Sequence, residues 1–187
     1  MQRIAVVGSL GSGKTTTARA ISSGPGIPHL ELDSVYHQPG WTPLPTDEFQ
    51  DAVRTFTDQE VWVVDGNYTS EGIINLVWSR ADTVVWLDLS RAEATRRVVS
   101  RTFRRLATSE QLWNGNKEGW LNVVDPRPGD HVILWSWTRH TRVRAQYENR
   151  FNDRQWSDLE LVRLRDATDV EASLADLPPS ELVAGSW

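Results

Sequence analysis

Cysteine is absent from the 187-residue chain, which removes disulfides, thiolate metal sites and thiol nucleophiles from consideration. No apolar run approaches the roughly 18 residues of a membrane span, and a strand-like segment begins almost at the first residue. Neither a signal peptide nor a membrane anchor is therefore expected, and the expected location is the cytoplasm. Positive charge is also scarce: 20 Lys and Arg against 25 Asp and Glu leave a net charge of -5. That balance opposes broad nucleic-acid binding, which needs a large basic surface. No His, Asp and Glu grouping has transition-metal spacing, and no segment repeats. The length suits one α/β domain and is short for two.

What is present is concentrated near the start. Gly8-Ser9-Leu10-Gly11-Ser12-Gly13-Lys14-Thr15 fulfils G-x-x-x-x-G-K-[ST], directly after the apolar run Ile4-Ala5-Val6-Val7 and before a segment able to be helical. In such a loop the glycines Gly8, Gly11 and Gly13 let successive N–H groups, Ser12 among them, point at phosphate oxygens. The dipole of the following helix adds to the attraction. Lys14 is expected on the β- and γ-phosphates, the Thr15 hydroxyl on Mg²⁺, and Thr16 in the first turn beside them. The expected cofactors are ATP and Mg²⁺.

Strand-length apolar runs alternate with helical stretches, the pattern of βαβ units around a parallel sheet. Strands are expected at 3–7, 29–32, 61–65, 83–88 and 160–164, and helices at 13–22, 47–58, 91–106, 132–151 and briefly from Asp169. The reading is a single domain with its core in 1–107 and 131–177, a lid at about 108–130 and a loose tail at 178–187. Of the ten tryptophans, most should be core. Trp41, Trp113 and Trp120 fall outside the strands and are candidates for stacking on a base or ring.

The third expected helix carries Arg91, Arg96, Arg97, Arg101, Arg104 and Arg105, and the helix after the polar excursion carries Arg139 and Arg142. A lid flanked by arginines would exclude water and bring cations to a transferring phosphoryl group. Arg101, Arg105, Arg139 and Arg142 are assigned that catalytic work and Arg104 a place on the nucleotide; Arg91, Arg96 and Arg97 are expected to be solvated. Asp88 or Ser90 is expected to cap the arginine helix.

Carboxyl ends of parallel strands face the ligand crevice. With the second strand running through Glu31-Leu32-Asp33, residues 31 and 33 would share a side. Asp33 is the candidate to take a proton from an acceptor hydroxyl, to hold Mg²⁺ through water, or simply to cap Ser34-Val35-Tyr36. Asp65, ending the third strand, is the candidate second Mg²⁺-associated carboxylate; Gly66, Asn67 and Tyr68 follow it as candidates for orienting the acceptor. His37, near Trp41, is either part of an acceptor wall or a structural histidine.

Taken together, these stretches resemble the adenylate-kinase-like branch of P-loop kinases, which includes nucleoside monophosphate, shikimate and gluconate kinases. More closely, they resemble small bacterial adenylate-kinase-related or "DNA topology modulation" proteins. The resemblance is carried by 8–17, Leu32-Asp33-Ser34-Val35-Tyr36-His37 with Gly40-Trp41, Val64-Asp65-Gly66-Asn67-Tyr68, Val85-Trp86-Leu87-Asp88-Leu89 and Trp113-Asn114-Gly115-Asn116-Lys117-Glu118. It implies a five-stranded parallel sheet in the order 2-3-1-4-5 flanked by helices. It also implies an acceptor region after strand two, a mobile lid after strand four, and an Asp33 that contacts the acceptor. The stretch 165–170, with Asp166, corresponds by position to the loop against adenine. Asn67-Tyr68-Thr69 stands where a monophosphate kinase offers its phosphate-binding arginine, so a nucleoside monophosphate is disfavoured as acceptor. The implied activity is transfer of the γ-phosphoryl of a nucleoside triphosphate to a small acceptor. The rivals are a nucleotide-dependent regulatory or DNA-interacting protein and a simple NTP hydrolase.

Overall fold

The computed structural model describes residues 2–23, 26–69, 72–117 and 132–166. Five strands, β1 (Arg3–Gly8), β2 (His29–Glu31), β3 (Trp62–Asp65), β4 (Thr83–Leu87) and β5 (Glu160–Leu164), form one sheet. Its order is β2-β3-β1-β4-β5, and every neighbouring pair is parallel. This is the expected 2-3-1-4-5 arrangement. The helices are α1 (Lys14–Ile21), α2 (Leu32–Tyr36), α3 (Thr46–Thr57), α4 (Ile73–Trp78), α5 (Arg91–Thr108) and α6 (Val132–Phe151).

The two-residue period of β1 divides the interior. Ile4 and Val6 pack with Ala18 and Ile21 of α1, whereas Ala5 and Val7 pack with Phe49, Ile73, Trp78 and Tyr147 from α3, α4 and α6. Helices therefore cover both faces, and the continuous burial of β3 and β4 follows. Trp62, Trp78 and Trp86 are almost wholly buried, each contributing on the order of 2–3 kcal/mol through apolar burial. Trp156 joins them, but Trp135 and Trp137 of α6 stay exposed, against the expectation for most tryptophans.

Two expectations about the elements are corrected. The second strand stops at Glu31, and Leu32 opens α2, where Ser34 Oγ donates to the Glu31 carbonyl at 2.7 Å. The alternation of residues 31 and 33 across an extended segment therefore does not occur. Helix α4 falls on the apolar run Ile73-Ile74-Asn75-Leu76-Val77-Trp78, to which periodicity assigned nothing because six residues are too few to separate a buried helix from a strand. At α5, Ser90 is the cap, its Oγ accepting from Glu93 N at 3.2 Å. Asp88 instead pairs with Arg144 and Arg163, tying α6 to β5.

Candidate active site

The phosphate loop lies between β1 and α1, and backbone geometry dictates its glycines. Gly11 has φ +80, and a Cβ there would sit 2.3 Å from the Ala94 carbonyl. Gly13, at φ +98, caps α1 in the left-handed conformation. The Ser9 and Ser12 hydroxyls are buried with no partner among the described residues, which fits a cradle for a polar ligand. Lys14 Nζ donates to the Ser9 carbonyl at 3.1 Å. Burial pushes the Lys14 ammonium below the usual lysine range; Asp33, Asp65 and Glu31 oppose the shift and Arg101 adds to it.

Thr15 Oγ1 lies 3.1 Å from Asp65 Oδ1 and 3.2 Å from Glu31 Oε1, so a hydroxyl and two carboxylates converge beside the loop. Oxygen donors of this kind suit a hard cation such as Mg²⁺. Among the described residues no cluster of three His, Cys, Asp or Glu is available to a metal. Asp65 is further fixed by His29 Nε2 at 2.8 Å, and Glu31 by Arg19 Nη2 at 3.3 Å. Glu31 was assigned no role by sequence reasoning; its signal was the strand-end position it shares with Asp65.

A cleft of about 950 Å³ opens over this floor. It is lined by Lys14, Thr15, Thr16, Glu31 and Asp33 on one side and by α5 on the other. Asp33 sits in the first turn of α2, and the Tyr68 hydroxyl donates to its Oδ1 at 2.5 Å. Arg101, Arg104 and Arg105 line the cleft as expected, but so do Arg96 and Arg97, which were expected to be solvated. Positions 97, 101, 104 and 105 lie three and four residues apart, on one helical face. Glu93 holds Arg96 Nη2 at 2.8 Å and Arg97 Nε at 2.7 Å. Those two guanidiniums hold its carboxyl down at about 2. A Cβ on Gly13 would meet Arg97 Nη1 at 3.4 Å, which places that guanidinium against the phosphate loop. Arg104 and Arg105 both face Glu110, at 3.6 Å.

Other expected site residues lie elsewhere. Arg139 and Arg142 are exposed on α6 and do not line the cleft, and neither does the exposed Asp166. Gly66, Asn67 and Tyr68 lie behind the cleft wall rather than in it. A Cβ on Gly66 would stand 2.7 Å from Leu32 Cβ, so its role is to let α2 pack onto the exit of β3. Asn67 binds the Gly8 backbone through both its amide and its carbonyl, and Tyr147 Oη donates to that carbonyl at 2.6 Å. It braces the loop where an acceptor contact was expected. His37 and Trp41 do line the cleft, with Trp113 beside them; burial pushes the His37 imidazole below its usual range, with Asp33 opposing. The expected stacking residue Trp120, the adenine-side residues 167–170, the helix from Asp169 and the tail 178–187 fall outside the described residues.

Solved structures share this architecture. A gluconokinase from Sinorhizobium meliloti 1021 superposes with a TM-score of 0.50 at 18% identity, over 93% of this chain and 91% of its own. A shikimate kinase from Bacteroides thetaiotaomicron gives 0.52 at 13% identity, over 93% and 94%. The fold is one that these two solved kinases share. A sugar kinase from Janibacter sp. HTCC2649 gives 0.51 at 16% identity, over 100% and 99%. By sequence, a shikimate kinase of Corynebacterium diphtheriae is 29% identical over 114 residues, covering 55% of this chain and 66% of that protein. No protein-family model matches the chain. Among the described residues no helix is long and apolar enough to cross a membrane.

Proposed function

We propose that this protein is a Mg²⁺- and ATP-dependent phosphotransferase acting on a small-molecule acceptor. The observation that carries the proposal is one cleft that joins the phosphate loop, the Thr15 hydroxyl between Asp65 and Glu31, and Asp33. Phosphoryl transfer asks mainly for positioning and charge neutralisation. Lys14 and the loop amides hold the β- and γ-phosphates, and Thr15, with Asp65 and Glu31 behind it, holds Mg²⁺. Mg²⁺ held there would supply neutralisation of the negative charge on the phosphates. Asp33 orients the acceptor hydroxyl and takes its proton as the oxygen bonds to the γ-phosphorus, the bond to the bridging oxygen breaks and ADP leaves. Arg97 and Arg101 face the transferring group from α5; Arg104 and Arg105 stand further along the same face. The kinship of the shikimate kinase relative, the resemblance to adenylate-kinase-related proteins and a cytoplasmic location all belong to this proposal.

The test is ADP release by the purified protein with Mg-ATP. The acceptors are nucleosides, nucleoside monophosphates, shikimate, D-gluconate and aminoglycosides, with Lys14→Ala as blank. Acceptor-dependent turnover well above the water background supports the reading. ATP binding with turnover that no acceptor alters contradicts it and favours a hydrolase.

A further inference from the structure

The cleft wall opposite α5 is built from two stretches nearly 80 residues apart in sequence. Residues 34–41 follow β2; residues 111–117 follow α5 and belong to the segment expected to be a lid. They are joined by hydrogen bonds in both directions. Asn114 Nδ2 donates to the carbonyls of Ser34 at 3.1 Å and His37 at 2.6 Å. Asn116 Nδ2 donates to Gln38 O at 2.9 Å, while Asn116 Oδ1 accepts from Trp41 N at 3.0 Å. Trp41 Nε1 donates to Lys117 O at 3.2 Å. Asn116 is only 5% exposed, and its loop is closed on itself by Leu112 N donating to Asn116 O at 2.7 Å.

The rings follow from this seam. His37 stacks on Trp113 with centroids 5.6 Å apart and planes 23° from parallel, and Trp41 meets both edge-on. All three line the cleft beside Asp33. Trp41 has φ +61, a left-handed conformation that a bulky residue adopts only when its surroundings impose it. Asn116 and Lys117 impose it, by holding both the backbone and the indole N–H of that residue.

We infer that residues 111–117 are a fixed wall of the acceptor compartment, in which Trp41 and Trp113 receive the face of a ring-shaped hydroxylated acceptor and Asn116 is the positioning residue. The inference rests on the kinase reading. Flat indole surfaces reward a flat partner through dispersion and desolvation, and a ring loses less conformational freedom on binding than an open chain of the same size. Asn116 touches no substrate; it acts by fixing Trp41. Residues 111–117, the described part of the expected lid, thus form a structural wall.

The experiment compares Mg-ATP-dependent phosphorylation of ringed acceptors (adenosine, shikimate, D-glucose) with that of open-chain ones (D-gluconate, glycerol). It is run for the wild type, Asn116→Ala, Asn116→Asp and Trp113→Ala. The expected result is that a ringed compound is phosphorylated and that its KM rises roughly tenfold in Asn116→Ala and Trp113→Ala, the loss of one or two hydrogen bonds or one stacking face. The KM for ATP stays unchanged, and Asn116→Asp, which still accepts from Trp41 N, lies in between. As a folding control and a direct readout, the ¹⁵N-indole spectrum of Asn116→Ala should move the Trp41 signal while those of the core tryptophans Trp62, Trp78 and Trp86 stay in place. Phosphorylation of open-chain compounds alone overturns the ring assignment. An unchanged acceptor KM, or an equal rise in the KM for ATP, overturns the positioning role. A panel in which nothing is phosphorylated while ATP is still hydrolysed overturns the kinase reading itself, and the inference with it.

Discussion

The phosphate-loop floor and the facing wall of the same cleft, the proposed donor and acceptor sides, are built in opposite ways. The floor is one uninterrupted stretch, Gly8 to Thr15, whose glycines and lysine lie in sequence as they lie in space, with strand ends supplying Asp65 and Glu31. The wall is assembled from residues 33–41 and 111–117, held by asparagine side chains that bridge 75 to 80 residues. On the proposed reading, the local loop serves a ligand part common to all nucleoside triphosphates. A composite wall is free to vary with the acceptor, because either stretch changes without disturbing the phosphates.

The contrast is broken most severely at the floor. Lys14→Ala should lower kcat at least about 100-fold, as loss of a charge-stabilising donor does, in an ADP-coupled assay with the best acceptor. Thermal stability should not fall, because the variant also removes a partly desolvated ammonium. On the wall side, Asp33→Asn should lower kcat by about 100-fold, the usual share of a general base, with the KM for ATP unchanged. Retention of full activity would remove Asp33 from proton transfer and leave it as a structural residue of α2.

Smaller effects sharpen the comparison. Gly66→Ala places a Cβ against Leu32, at a backbone φ of +145, and should cost about 2 kcal/mol in denaturant unfolding, the range of overpacked cores. Its kinetic effect should appear through the acceptor, because α2 carries Asp33. Glu93→Gln should act weakly and only through charge. The Glu93 carboxyl is depressed from 4.5 to about 2 by Arg96 and Arg97. Its contribution to stability is therefore complete above pH about 4.5 and is lost as pH falls toward about 2. Wild-type stability minus that of the variant, followed by chemical denaturation, should be constant at neutral pH and vanish across that window. A difference that survives at pH about 2 would mean that packing rather than charge holds the arginines.

These differences also explain what was legible in the sequence. The strands and the phosphate loop were readable because each depends on contiguous residues with a strong local pattern, strand-length apolar runs and a glycine-spaced motif, whereas the sheet order was implied by the family resemblance. Helix α2 was hidden because Leu32 and Asp33 continue a strand-like run, while the contacts found at the turn, Leu32 close to Gly66 and Ser34 Oγ on the Glu31 carbonyl, are tertiary or follow the run. Asn67 and Tyr68 were read as acceptor contacts from their position after Asp65. Their actual partners, Gly8, Tyr147 and Asp33, are remote in sequence. Arg96 and Arg97 were set aside because six arginines cannot share one phosphate chain; Glu93 instead gathers these two at the cleft. Arg139 and Arg142 were chosen for lying beyond the excursion, but the turn of α6 leaves them exposed outside the cleft.

The most direct test is mass-spectrometric analysis of the products when the purified protein turns over Mg-ATP in the presence of its best acceptor. A γ-phosphoryl transferase yields phosphorylated acceptor in equal amount to ADP, and Lys14→Ala yields neither. Inorganic phosphate in equal amount to ADP, with the acceptor unmodified, would contradict the kinase reading and leave the protein a nucleotide hydrolase.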